Sequence, residues 1–517
     1  MGYLSLKSAE GKWIMASSIL ASSMAFIDGT ALNVVLPSLQ KEFSASASSL
    51  FWVLNAYLLI LAALILIGGA LGDNLGRKRV FVIGILIFIA GSMACGLAGS
   101  LDMLIIFRIL QATGGALMIP GSLALISSSI QKKERGRAIG IWSAATTLVM
   151  LGGPVLGGAL ADSGLWRYIF FINVPLGVVA CLILIFKVSE NISGKVLKRI
   201  DFSGTILAAS SLAFITYGLL SLPAHNFWTI YVAGSIAMGI ICFLIFIRVE
   251  WKTENPMMPL SLFGDKVFAG TNLLTFFLYA GLGGAMLFLS LNLVQAQDYS
   301  QLQSGMAFLP FTLSMIALSG IAGKLSDKYG ARLFLTLGPL VSALGFFLLS
   351  LPGETAGPRS YWTSYFPGIL AIGIGMAFTV SPLTATVMGS VKEDFSGVAS
   401  GINNSLSRIA SVFANAIFGA LALIIFSNTV TRELISKDYT PGEHKIIEAR
   451  ASSFGAARAP KSFVIQKQMD INKIYRKSFV HSYQLVLKGA CVLAIISAVI
   501  AVIFLRPKGV SPRYSAD

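Results

Sequence analysis

Fourteen separate apolar stretches, each close to the length needed to cross ~30 Å of hydrocarbon as an α-helix, constrain this chain more than anything else in it. They lie at about 13–36, 50–71, 80–99, 102–127, 137–161, 167–187, 202–222, 228–248, 267–294, 302–323, 332–351, 363–388, 397–426 and 483–505. Unpaired backbone groups are too costly in lipid for irregular spans, and runs of this length are helical. The expected fold is therefore all-α and integral to a membrane. Only 12% of the residues are charged, against roughly 25% in an average globular chain, so the excess apolar surface has to face lipid. Met1 to Lys12 is short, and the first run is too long for a signal-peptide h-region and lacks a small-residue cleavage site. That run is expected to be a spanning helix itself.

The formal net charge of +16 would suggest nucleic acid in a soluble protein. Here the basic residues sit between apolar runs, which is the pattern of membrane topology and not of nucleic-acid binding. With the N-terminus inside, the inside segments hold Arg77, Lys78 and Arg79, then Lys132 to Arg137, Lys195 to Arg199, Lys324 to Arg332, and the tail with Arg506, Lys508 and Arg513. The short outside loops hold only Lys41, Arg167 and Arg359. The asymmetry predicts both termini in the cytoplasm of a multi-pass protein of the cytoplasmic (inner) membrane. Residues 427–482 are polar and basic, yet this arrangement places them outside. Long loops largely escape the charge rule, and the segment reads as a small extracytoplasmic cap, a partner contact or a passive connector. A thirteen-span arrangement would place it inside.

Cys95, Cys181, Cys242 and Cys491 all fall in apolar runs without metal-ligand spacing. Neither disulfide, metal nor cofactor is expected. His225, His444 and His481 are central to no span, and no nucleophile and base cluster as an enzyme would require.

Two loops repeat one pattern. Gly69, Asp73 and Gly76, followed by Arg77, close the second run; Gly323, Asp327 and Gly330, followed by Arg332, close the tenth. Both read G-x-x-x-D-x-x-G and then turn tightly into the next run. Two copies at equivalent loops indicate duplicated halves, and the spacing works if two sets of six helices flank an inserted pair, the seventh and eighth. The first copy resembles motif A of the major facilitator superfamily. Fourteen spans with a mid-chain pair resemble its drug:proton antiporter branch, the EmrB/QacA type, over about residues 13–505. The resemblance implies the major facilitator fold: a half at 13–187, an inserted pair with linkers at 188–265, a second half at 266–505, and the loop 427–482 within it.

Asp28 is the one acidic residue deep in a run. A carboxylate at mid-bilayer costs ~2.5–3.5 kcal/mol on insertion scales, so its presence argues for function. Its segment, Phe26 to Pro37, is similar to the motif D signature, whose Asp is implicated in proton coupling. Arg108 in the fourth run must meet an anion, carbonyls or water, with Gln111 about one turn on. This stretch resembles motif B, whose Arg is thought to tune proton transfer at that acid. Asp73 reads as an ionic latch with Gly69, Gly76 and Arg77, as motif A implies, and Asp327 with Arg332 as its weaker copy. Gly153, Pro154, Gly157 and Gly158 make a bendable, closely packing fifth helix. They resemble motif C, a feature of exporters. The segment from Trp166 to Pro175 also resembles this branch, and its aromatics read as an interface belt.

A cavity between the halves is expected near the midplane. Asn33, Trp52, Asn55, Tyr57 and Gln111 are candidates from the first half. By family analogy Phe276, Tyr279, Met376 and Phe378 come from the second. Arg408 and Lys488 also fall in apolar runs and are expected at membrane depth; placed near helix ends, their long side chains could snorkel. With no further acid in the second half, a neutral, zwitterionic or anionic lipophile fits at least as well as a dication. The resemblance implies a proton-coupled antiporter that exports small lipophilic compounds or drugs by alternating access, with substrate, protons and the lipid bilayer as its partners. In a Gram-negative source it allows a periplasmic adaptor. A dedicated exporter of one metabolite, siderophore or peptide is the alternative; an importer or a non-transport membrane protein ranks lower.

Overall fold

The computed structural model describes residues 4–190, 201–225, 227–254, 256–392, 395–435, 437 and 439–505, apart from the side chains of 70, 73, 132, 151, 396 and 397. Fourteen helices among them are long and apolar enough to cross a membrane. We number them α1 (Ala9–Phe43), α2 (Ala47–Leu75), α3 (Arg77–Leu97), α4 (Leu101–Ser129), α5 (Lys132–Asp162), α6 (Tyr168–Lys187), α7 (Phe202–Ser221), α8 (Ile230–Lys252), α9 (Lys266–Gln295), α10 (Gln301–Tyr329), α11 (Ala331–Leu349), α12 (Phe366–Gly389), α13 (Ser396–Ile435) and α14 (Ile465–Phe504). The only β pairing among the described residues is an isolated bridge between Leu4 and Ile130.

Local chemistry sets the ends of these helices. Ser8, Ser46 and Ser100 cap α1, α2 and α4 by accepting from the backbone N–H of Gly11, Ser49 and Met103, which satisfies an amide that the helix itself cannot. Between α2 and α3 the chain turns on a single residue, Gly76, at φ 101°; between α10 and α11 it turns on Gly330 at φ 92°. A side chain would be strained at such angles. The two halves thus share the same turn at the same place.

The halves also share a packing device. A Cβ on Gly84 or Gly114 would strike the partner helix of the α3–α4 pair, and one on Gly338 or Gly375 would do the same in the α11–α12 pair. Small residues let these helices approach to backbone contact, the usual basis of helix association where lipid offers no hydrophobic drive. α1 to α6 pack together as one group and α9 to α14 as another. α7 and α8 pack on each other, and α7 on α2 and α13, through a small core of Leu59, Ala62, Leu212 and Val412.

The face of the bundle that carries the start of α1 and the end of α14 is the terminal face; the other is the far face. At the far face α13 and α14 both run on as 40-residue helices, about twice the length that a bilayer requires. Between them a short helix, Pro441–Arg450, and a turn, Ala451–Ala456, complete a folded cap. Phe454 is its keystone, its ring packed on Phe288 of α9, Phe426 of α13 and Phe479 of α14. The segment 427–482 is folded, with its own buried core that includes Ile447, Ile471 and Tyr475.

Candidate proton and cavity sites

Asp28 lies in α1 with 1% of its surface exposed, and Arg108 of α4 is equally enclosed. Arg108 and Gln111 stand three residues apart on one face of α4. Arg108 Nη1 donates to Asp28 Oδ2 at 2.5 Å and to Gln111 Oε1 at 2.7 Å, while Gln111 Nε2 donates to Asp28 Oδ1 at 2.9 Å. The result is a closed triangle of an acid, a guanidinium and an amide. Gln111 Nε2 also donates to Ser92 Oγ at 3.2 Å, and Asn173 Nδ2 donates to the same oxygen at 2.9 Å. Arg108 has neutral partners as well. Its Nε donates to the carbonyl of Val53 at 3.4 Å, and its guanidinium carbon lies 4.1 Å from the centre of the Tyr57 ring. The carboxylate can therefore be neutralised without stranding the cation. Breaking one partner out of a buried pair otherwise leaves a costly bare charge.

The glycine-rich face of α5 is the second element. A Cβ on Gly153 would come within 2.0 Å of Thr30 Oγ1, and one on Gly157 within 2.8 Å of the Ala31 carbonyl, both on α1. On the neighbouring face a Cβ on Gly158 would reach 2.3 Å from the carbonyl of Gln301 at the start of α10. Gly305 of α10 packs in turn on the carbonyl of Pro154. The four motif residues thus join α1, α5 and α10 at the far face. Toward the terminal face, no described residue lies within 4 Å of a Cβ placed on Gly136 or Gly140 of α5 or on Gly320 of α10. Just beneath the junction is an apolar cavity of about 100 Å³, bordered by Thr30, Asn33, Met150, Pro154, Met286 and Phe311 among others.

Polar contacts seal the far face between the two groups of helices. The N–H groups of Gln301 and Leu302 donate to the Asp162 carboxylate at 2.8 and 3.0 Å. Ser38 donates to Gln301 Oε1 at 2.9 Å. Gln295 Nε2 donates to Gln40 Oε1 at 2.8 Å, and Gln40 Nε2 to the Ser453 carbonyl of the cap at 2.9 Å.

Of the cavity candidates, Asn33 borders the apolar cavity. Gln111 belongs to the Asp28 triangle. Tyr57 is buried under Arg108. Asn55 meets Asn415 of α13 at 3.4 Å, across the boundary between the helix groups. Phe276 packs on Phe413 of α13, and Tyr279 is half-buried on α9. Three face elsewhere: Trp52 packs against Tyr217 of α7, Phe378 stacks on Phe334 of α11, and Met376 is buried in the core. In the repeated loops, Arg77 Nη1 donates to the Ala124 carbonyl at 3.1 Å and Arg332 Nη2 to the Val502 carbonyl at 2.8 Å. Nothing lies within 4 Å of a Cβ on Gly69, and Asp327 is engaged in a contact. The side chain of Asp73 lies outside the described residues.

Two sequence expectations are corrected. Trp166 is not an interface aromatic: it is buried at 3% exposure and donates to Glu42, whose other oxygen accepts from Arg167 at 2.7 Å. Tyr168, at 54% exposure, is the one at the surface. Arg408, expected at membrane depth, does not snorkel from a helix end: it sits well inside α13, half-buried, with its Nε enclosed and without a partner among the described residues. Lys488 is exposed on α14, where its chain is free to extend. Ser92, Asp162, Gln301 and Gln40 were not singled out from sequence. Ser92 is one small polar residue within an apolar run and the other three lie just beyond the ends of theirs, and none carries a signal until its partner is known.

A family model described as Major Facilitator Superfamily matches residues 18–415. Among curated proteins, the chain is 30% identical to "Multidrug resistance protein Stp" of Mycobacterium tuberculosis over 412 residues, 80% of this chain and 76% of that one. It is 29% identical to the "Tetracenomycin C resistance and export protein" of Streptomyces glaucescens, over 77% of this chain and 73% of that one. It is 30% identical to "Multidrug transporter protein MdtP" of Bacillus subtilis, over 87% and 81%. Among solved structures, a bacterial homologue of the human lysosomal transporter Spinster, inward-facing and unoccupied, superposes with a TM-score of 0.68 at 16% identity. The match covers 96% of this chain and 98% of that one, a likeness of fold.

Proposed function

The chain belongs to the major facilitator superfamily, and from that premise we propose that it is a proton-coupled exporter of small lipophilic compounds, of the fourteen-span drug:proton antiporter branch. Secondary transport by an alternating-access bundle is common ground for the family. Direction and coupling are our reading. The observation that carries it is the closed triangle of Asp28, Arg108 and Gln111. A lone acid enclosed at membrane depth is a functional residue by default, and this one is held by a cation that has neutral partners to fall back on.

In this reading both termini are cytoplasmic and the far face is extracytoplasmic. Substrate enters from the cytoplasm or the inner leaflet while Asp28 is ionised and held by Arg108. A proton arriving from outside neutralises Asp28, and Arg108 relaxes onto Val53 and the Tyr57 ring. The changed packing of α4 against α1 and α2 biases the two halves toward their other arrangement. One charge moved across the membrane potential is worth ~2.3 kcal/mol per 100 mV, enough for a few protons to hold a steep gradient. The glycine face of α5 gives the halves a tight junction that closes and opens as a unit. Asp73 with Arg77, and Asp327 with Arg332, act as latches at the terminal face. In a Gram-negative envelope the cap is the surface that would meet a periplasmic adaptor.

The test is efflux in everted vesicles under an imposed pH gradient, with a panel of lipophiles of differing charge. Asp28→Asn is expected to insert normally and lose proton-driven transport. Unchanged pH-dependent transport by that variant rejects Asp28 as the coupling site. A dedicated exporter of one compound is favoured instead if a single member of the panel is moved.

A further inference from the structure

Among the described residues, the fold supplies Arg408 with no anion. On α13, Gly401, Arg408 and Asn415 are seven residues apart and so share a face. Gly401 packs on Leu66 and Asn415 on Asn55, both of α2. That face therefore runs along the boundary between the two halves, and Arg408 stands midway on it. At 1.5 Å per residue it lies about 15 Å from Val398 where the span begins, near the middle of the hydrocarbon. The charged and titratable groups that act on it are the phenols of Tyr57 on α2 and Tyr279 on α9; no carboxylate is among them. Asp28 is already held by Arg108 and Gln111. Among the described residues, the central depth of the bundle thus carries one anion, Asp28, against two cations.

Among the described residues, Arg408 Nε and, one turn away on α13, Ser405 Oγ are buried without a hydrogen-bond partner, as are Asn55 Nδ2 and the Asn415 Oδ1 opposite it. Burying such groups unpaired is costly, and an arginine fork suits a carboxylate, sulfonate or phosphate above other groups. Along α9, Tyr279 and Met286 are seven residues apart and so share a face, about 10 Å from each other. Met286 borders the apolar cavity beside Asn33 and Phe311. A charged head at Arg408 would have an apolar pocket within a short chain's reach.

Resting on the exporter reading, we propose that the transported compound is an anionic amphiphile, whose acidic head pairs with Arg408 between Tyr57 and Tyr279 and whose apolar body lies toward Met286. A dicationic drug would meet repulsion at the same point. Arg408 is then the specificity-determining residue, and proton coupling stays with Asp28.

Binding of dansyl-labelled undecanoate and of its neutral methyl ester, read by dansyl fluorescence in phosphatidylcholine nanodiscs, tests the assignment. The wild type is expected to bind the acid at least about tenfold more tightly than the ester, the scale of one charge-assisted hydrogen bond. Arg408→Gln is expected to erase that preference and Arg408→Lys to keep part of it. Equal binding of acid and ester by the wild type overturns the proposal without recourse to any variant, and so does a preference that survives in folded Arg408→Gln. If anionic phosphatidylglycerol in the nanodisc abolishes the preference, the site belongs to a lipid headgroup and the export-substrate assignment falls. No pH gradient is present, so this outcome is independent of the Asp28→Asn efflux test.

Discussion

Arg108→Ala would leave the Asp28 carboxylate enclosed with only Gln111 to hold it. Removing one partner of a buried ion pair typically costs about 3–5 kcal/mol, whereas replacing both is often tolerated. Thermal unfolding in detergent is therefore expected to show a large loss for Arg108→Ala and a smaller one for the double variant Asp28→Asn with Arg108→Gln. Equal losses would mean that the two charges are not coupled in the way the triangle requires. Both residues were legible in the sequence because a charge inside an apolar run is an anomaly that needs no third dimension to be seen. Gln111 was legible only as a polar residue on the Arg108 face, and its bond to Asp28 had to come from the packing of α1 on α4. Arg408 was visible as a charge at membrane depth, but whether it would snorkel from a helix end was not: α13 begins at Ser396, so the residue lies about three turns into the helix. Ser92 and Asn173 take their meaning only from their shared contact behind Gln111.

Helices separate by how their small residues are used. In α5, Gly153 faces a threonine hydroxyl that can rotate away, whereas Gly158 faces the backbone of Gln301, which cannot move unless α5 and α10 part. Gly158→Ala is thus expected to impair transport at least about tenfold and to destabilise the sealed arrangement by ~1–3 kcal/mol, the usual cost of overpacking. Gly153→Ala should cost less, and Gly136→Ala, with open space around it, should be near neutral. Transport assays and unfolding of the three variants side by side check the order, and a neutral Gly158→Ala would break the argument. At the turns, Gly76→Ala and Gly330→Ala force a side chain into positive φ. Each is expected to lose about 1–3 kcal/mol, measurable as lowered thermal stability. The positions of the spans were readable from apolar length alone, since lipid imposes it. The cap was not, because helix beyond the membrane has no need to be apolar: α13 continues to Ile435 and α14 starts at Ile465 through residues that look like loop.

Across the whole molecule, the far-face seal decides which arrangement of the halves is favoured. Asp162 is exposed, yet its carboxylate accepts two backbone N–H groups from α10 at once, and hydrogen bonds to a charged group contribute about 1.5 kcal/mol each at the low end of their range. These bonds join helices of different halves, so they exist only while the far face is closed, and their loss changes the balance between states more than the stability of either half. Asp162→Ala should therefore move the population toward an open far face by at least about tenfold, given that 1.4 kcal/mol is a factor of ten. A cysteine at Asn33, which borders the cavity just beneath the seal, reports the shift: its reaction with an impermeant maleimide added from the cap side is expected to quicken by at least that factor in Asp162→Ala. Gln40→Ala removes the links to Gln295 and to the cap carbonyl of Ser453, which are neutral bonds contributing about 1 kcal/mol each, and should quicken labelling less. If Asp162→Ala leaves the rate unchanged, the seal does not govern the equilibrium. The cap's own packing on α9, through Phe454 against Phe288, would then be the contact that holds the far face shut.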